Sequence, residues 1–233
     1  MKPWVLGCLF AGVAFGAQVA LAGGIDELSP ADQAKVKRGE QVSVFEKSEV
    51  PGAPWPNSKV YQWIPGVTPE EAMAMFSDYE LQSAYVPDLK KSVISSYVKN
   101  VAHIDYTVAL PMGFGSEDYT AVDTLTAYAD GSGYVVAWDV IPTKSIKMAN
   151  GSARFETLAT DAGPGTLFSY VNFIYPDRWG TSMGWVVEAA KRRVRDTVTA
   201  TVQFIAKEKS TNPDRLKAQM GRMRSILETI TQN

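Results

Sequence analysis

The apolar period of this chain changes in a fixed order along its length, and that order limits the folds open to it. A strand-like run at Lys59–Ile64 comes first, ended by Pro65-Gly66. Thr68 is a natural helix N-cap, with Pro69 at the first helical position and Glu70 and Glu71 in the first turn, where carboxylates meet the positive helix end. Ala72, Met75, Phe76 and Tyr79 follow at helical spacing, and Leu81–Tyr85 reads as a second short helix before Pro87. Strand signals then recur at Ser92–Val98, Val101–Leu110, Asp118–Tyr128, Tyr134–Ile141, Lys144–Met148, Ala153–Leu158 and Thr166–Tyr175. Asn150-Gly151 reads as a turn or bulge between two of them. A long helix closes the series at Thr181–Lys207, where Met183, Val187, Ala190, Val194, Val198, Thr201 and Ile205 form one apolar stripe. Strands run together and bracketed by helices predict an α+β domain with an antiparallel meander.

The first residues stand apart. Lys2 precedes an uncharged apolar run, Trp4–Ala22, and Ala20-Leu21-Ala22 is a small-x-small site before Gly23-Gly24. This is the pattern of a secretory signal peptide spanning 1–22, cleaved near Ala22, and it predicts a periplasmic or secreted protein. An uncleaved anchor is the competing reading, since the run is nearly long enough to span a bilayer. Cys8 is the only cysteine, so the cleaved chain would have neither a disulfide nor a thiolate for catalysis or zinc. About 210 residues would remain, enough for one good-sized core. Acidic and basic residues nearly balance, at 25 against 23, and no basic tract stands out, which argues against a nucleic-acid partner.

Residues 23–56 read as an extension. Ser29 caps a short helix that starts at Pro30 and stops at Gly39, Gln41–Phe45 resembles an edge strand, and Pro51–Pro56 is a stiff connector. Residues 209–233 form a further helix after Asn212-Pro213, with Leu216, Met220, Met223, Leu227 and Ile230 on one face, able to pack on the outer sheet or on a partner.

Several phrases within Lys59–Lys207 are similar to the START-like, or helix-grip, superfamily of lipid-transfer domains and polyketide cyclases. They are Asp78-Tyr79 with Pro87 and Ser92, then Trp138 followed by Gly151-Ser152-Ala153-Arg154-Phe155, then Gly165-Thr166 with Tyr170. Ala153 departs from the pattern, in which a larger aromatic is usual. The resemblance implies, for 57–208, a curved antiparallel sheet wrapped around the long helix with an internal cavity for a lipid, sterol, quinone or similar apolar ligand. Non-catalytic carriage of such a molecule is the expected function, and a cyclase- or aromatase-like enzyme or an interaction protein of an envelope complex are the alternatives. Fold does not fix function here.

The candidate ligand-binding residues are Ile104, Tyr106, Val108, Tyr119, Trp138, Asp139, Arg154, Phe155, Phe168, Tyr170, Met183 and Val187. Parity is clear only for Val101–Leu110, where Ile104, Tyr106 and Val108 share a face. Asp139 sits in a run apolar on both faces, so it reads as a buried acid in need of a partner, and Arg154 is the candidate. Glu117, Asp118 and Asp123 read as wet-face residues of an antiparallel strand. His103, the only histidine, reads as a solvated strand residue, since a histidine metal site or a triad needs company it lacks. No catalytic residue, metal or cofactor is assigned. Met112–Gly115 could form a portal flap, and Trp179, Met183 and Trp185 could flank the same mouth or touch a membrane transiently. Oligomeric state has no signal in the sequence.

Overall fold

The computed structural model describes residues 24–110, 115–177 and 182–231. The signal-peptide segment 1–22, most of the proposed flap, Trp179 and Thr181 therefore lie outside the described residues. Eight strands form one antiparallel sheet: β1 (Val42–Glu46), β2 (Asn57–Pro65), β3 (Leu89–Val98), β4 (Val101–Ala109), β5 (Ser116–Ala127), β6 (Gly133–Val140), β7 (Ile146–Thr160) and β8 (Gly163–Pro176). Their spatial order is β1-β2-β8-β7-β6-β5-β4-β3, so the meander from β3 to β8 closes onto β2 and the two edges are β1 and β3. The described residues also form five α-helices: α1 (Pro30–Lys37), α2 (Pro69–Phe76), α3 (Tyr79–Tyr85), α4 (Gly184–Thr211) and α5 (Pro213–Thr231).

The local signals at α2 act as the sequence predicts. Thr68 and Glu71 form a reciprocal capping box, each side chain accepting from the other's backbone N–H. The helix is thereby fixed end-on and sinks Ala72, Met73, Ala74, Met75 and Phe76 into the core. Phe76 meets Phe155 and Phe168 at ring-centroid distances of 5.5 and 6.0 Å, and those two stack on each other at 5.1 Å. Val198, Val202 and Ile205 from the second half of α4 seal this centre from the other side.

The N-terminal arm adds two things. β1 extends the sheet edge through antiparallel pairing with β2. A 3-10 turn at Ile25–Glu27 and α1 cover the outer face, where Leu28, Val36 and Val42 pack with Tyr61, Trp63, Leu158 and Leu167. α5 packs neither on the outer sheet nor away from the domain: it lies against α2 and α4, placing Leu216 and Met223 in the central core with Met220 and Leu227 partly buried beside them. Arg224 forms an ion pair with Glu70 of α2. The side chain of Ile230 lies outside those described.

The expected division of one strand fails. Lys144–Met148 and Ala153–Leu158 are not separate strands, because β7 runs unbroken through Asn150-Gly151. The register irregularity lies earlier, between Ile146 and Met148. Gly151 has a packing reason instead: a Cβ there would sit 2.2 Å from the Val171 carbonyl and 2.4 Å from the Trp138 ring. The missing side chain lets Trp138 lie across β7. Gly151→Ala is therefore expected to cost about 1–3 kcal/mol through forced overpacking, read as a lower denaturation midpoint at unchanged m-value.

Candidate functional site

The inner face of the sheet is set by alternation. Ile104, Tyr106 and Val108 of β4 face Ala121, Tyr119 and Glu117 of β5, and Asp123 lies between Ala102 and Trp138. On β7 and β8 the same face carries Ala153, Phe155, Phe168 and Tyr170. α4 crosses this face, and its stripe is not buried uniformly. Val198, Thr201 and Ile205 are sealed, whereas Val187, Ala190 and Val194, nearer the helix start, are only half-buried. The strand residues Trp138 and Tyr170, 5.2 Å apart, and Tyr106 and Tyr119, 5.5 Å apart, are half-buried too. The inner face is thus sealed beneath the second half of α4, and beneath the first half its aromatic side chains are only half-buried.

That half of α4 is tethered on both sides. Arg193 donates to the Ala109 carbonyl at the end of β4 (3.2 Å) and pairs with Asp88, whose left-handed backbone (φ 63°) turns the chain from α3 into β3. On the opposite edge Gln41 donates to the Arg195 carbonyl (3.2 Å) and to Thr199 (3.0 Å), while Lys191 and Arg195 lie over the Phe45 ring at 5.4 and 5.5 Å.

One part of the inner face is polar and deeply buried. Asp123 is 4% exposed, and its Oδ1 makes no hydrogen bond among the described residues. Burial pushes its carboxyl up to about 7, against a smaller downward pull from the nearby Tyr79 hydroxyl. Tyr79, at the start of α3, is fully buried, and its hydroxyl lacks a well-aligned partner, as do those of Tyr85 and Ser92. Tyr106 donates to Gln82 Oε1 (2.8 Å), and Gln82 donates to the Phe76 carbonyl (3.0 Å), so α3 is stitched to the sheet beside these groups. Burial raises the phenols as well, to about 12 for Tyr97 and Tyr119 and well above the ordinary phenol value for Tyr79 and Tyr106, so they remain neutral donors at any physiological pH. A polar hollow of about 350 Å³ also opens beside Tyr106 and Tyr119, lined by Lys91, Asp105, Thr107, Asp118 and Thr120.

The predicted ligand residues are distributed unevenly over this geometry. Ile104, Tyr106, Val108, Tyr119, Trp138, Tyr170 and Val187 share the inner side, with Ile104 sealed against Tyr79 and Ala102. Phe155 and Phe168 are fully buried in the packed centre. Met183 is the N-cap residue of α4 and is 40% exposed. Asp139 and Arg154 require correction. Asp139 pairs with Asn150 and projects from the outer face into solvent. Arg154 is buried, but on that same outer face, opposite Val135 and Ser169. The two are four residues apart in register, roughly 13 Å along the strand, too far for an ion pair. The buried acid is Asp123, and its neighbours Ala121 and Leu125, both buried at two-residue spacing, are the signal that marks its face. His103 is half-buried on the outer face, opposite Val122. Among the described residues no group of three or more His, Cys, Asp or Glu could hold a metal, and no helix is long and apolar enough to cross a membrane.

No protein-family model matches the chain, and no curated protein matches it. Solved structures do. A STAR-related lipid transfer protein from Xanthomonas axonopodis superposes with a TM-score of 0.59 at 12% identity, covering 71% of this chain and 93% of its own. Human STARD10 gives 0.54 at 13%, covering 75% and 74%, and human StAR-related lipid transfer protein 5 gives 0.54 at 16%, covering 74% and 84%. Identities this low speak to architecture alone, and they agree with the curved antiparallel sheet and the long helix across it: the chain has the START-like, helix-grip fold.

Proposed function

We propose that this protein binds and carries an apolar small molecule of lipid, sterol or quinone type and performs no chemistry on it. The observation that carries the reading is the gradient of burial along α4: the helix seals the sheet at one end and leaves aromatic and aliphatic side chains only half-buried at the other. The lipid-transfer proteins that share the fold support it. A ligand that removes about 300 Å² of apolar surface from water there gains roughly 7 kcal/mol before association costs. Asp123 and Tyr79 offer an acceptor and a donor for one polar group, the usual composition of a small-molecule site. Export by signal-peptide cleavage near Ala22 is part of the proposal, tested by N-terminal sequencing of the protein recovered from the cell envelope.

The binding claim is tested by titrating the chain from residue 23 with a fluorescent acyl probe, alongside Ala190→Trp, which adds bulk to the half-buried part of α4. The variant should bind at least ten-fold more weakly while unfolding at a similar denaturant concentration. Equal affinity would place the ligand elsewhere.

A second reading has one observation in its favour. A carboxyl titrating near neutrality beside a phenol suits general acid–base chemistry on a bound substrate. Turnover of a bound compound, abolished by Asp123→Asn, would establish an enzyme.

A further inference from the structure

The described part of the arm begins at Gly24, and its place is held firmly. The Gly24 carbonyl accepts from the Glu27 N–H (3.2 Å), which closes the 3-10 turn, and Leu28 directly after the turn is buried among Tyr61, Trp63, Leu158 and Leu167. Glu27 adds a further tie by accepting from the Tyr61 hydroxyl (2.9 Å). This lays the Gly24 backbone against Glu156 of β7: a Cβ placed on Gly24 would sit 2.8 Å from Glu156 Oε2. The missing side chain is what lets the chain pass so close.

The Glu156 carboxylate is only half satisfied. Its Oε1 accepts from the Tyr128 hydroxyl (3.1 Å), whereas Oε2 is buried and has no hydrogen-bond partner among the described residues. A buried acceptor left unmet carries the full cost of its lost water, so such an atom calls for a donor. A hollow of about 250 Å³ opens beside it, lined by Gly24, Asp26, Ser132, Thr157 and Leu158 as well as Glu156. The charges around this spot are unequal. Asp26 and Glu27 come from the turn and Glu156 from β7, and the one cation close by is Arg154, two residues earlier on the same face of β7. Tyr128 remains a neutral donor, its phenol pushed up to about 12 first by burial and then by the Glu156 charge.

We propose that Glu156 holds the α-ammonium group that cleavage between Ala22 and Gly23 creates. The inference rests on the signal-peptide cleavage proposed for export. Residue 23 supplies the amine, and one residue spans at most about 3.6 Å. From a Gly24 already against Glu156, the new terminus is therefore within reach of Oε2. Gly23 and Gly24 both lack side chains, which leaves the approach open. Before cleavage the same nitrogen is a neutral amide tied to the signal peptide. Afterwards it is a cation among carboxylates. Cleavage thereby adds an ion pair that pins the start of the arm, and with it the turn and α1, to the outer face of the sheet.

The test uses the chain from residue 23 with a free amine, the same chain acetylated at that amine, and Glu156→Gln in each. Titration of the α-amine is followed by NMR of isotope-labelled N-methyl groups. Its midpoint is expected about one pH unit above the ordinary 7.7–8.0 of a chain terminus, and back at that value in Glu156→Gln. Thermal unfolding at pH 7 gives an independent reading. Acetylation should lower Tm by roughly 2–4 °C with Glu156 present and have no effect in Glu156→Gln. A raised amine pKa stabilises the fold below its unfolded value and ceases to do so once the folded amine deprotonates, so the gap should close by about pH 10. An amine that titrates at the ordinary value beside Glu156, or an acetylation effect of equal size in Glu156→Gln, would overturn the proposal. N-terminal sequencing separates it from the reading it rests on. Protein recovered from the cell envelope that begins elsewhere defeats the cleavage and the proposal together. An ordinary titration in a chain that does begin at Gly23 defeats the proposal alone.

Discussion

Asp123→Asn is expected to stabilise the protein at pH 8 and to leave it unchanged at pH 4. The wild-type carboxyl titrates near 7 in the folded protein because it is buried, whereas in an unfolded chain it titrates near 3.9. Between those values the folded state holds a proton that the unfolded state has lost. Wild-type stability therefore falls as pH rises from about 4 to about 7 and stays low above that. Asparagine preserves the shape and never ionises, so it removes the slope. A difference of about three pH units corresponds to roughly 4 kcal/mol at most, and relaxation around the site brings the expected gain to about 2–4 kcal/mol. Urea unfolding at pH 4, 6 and 8 reads it directly. Parallel pH profiles for wild type and variant would mean that Asp123 is ionised and paired in the folded protein, and the polar part of the inner face would need redrawing.

Phe155→Ala should be the most damaging single truncation, at about 3–5 kcal/mol. The ring is fully buried, stacked on Phe168 and tilted against Phe76, with Ala153 and Val136 in the same cluster. These neighbours come from α2, β6, β7 and β8, so no single movement closes the void. For a domain of this size the loss corresponds to a fall in Tm of roughly 10–15 °C. A cost near 1 kcal/mol would show that the ring already borders open space and that the ligand site extends to the centre of the grip.

The sequence is most legible where structure is decided locally. The capping box at Thr68 and Glu71, the N-cap at Ser29 and the stripe of α4 need only neighbours within one helical turn. Alternation on β4 orients Ile104 and Tyr106 because its two faces meet different surroundings. Legibility fails where a distant element decides. Asn150-Gly151 has the composition of a turn, yet the glycine answers to Trp138 on the neighbouring strand. β6 is apolar on both faces, which hides the outward direction of Asp139. The arm covers the outer face of β2, β7 and β8 and buries Arg154 there, a covering that no local pattern encodes. Asp123 is masked by the threonines and acids around it, although Ala121 and Leu125 mark its parity.

Native extraction tests the central claim most directly. The chain from residue 23 is purified without detergent, extracted with organic solvent and analysed by mass spectrometry against the protein's molar amount. The account predicts a near-stoichiometric apolar species, reduced in Ala190→Trp. An extract free of any such species, together with no thermal shift across a library of lipids, sterols and quinones, would contradict it and leave a helix-grip scaffold whose surface, not its interior, does the binding.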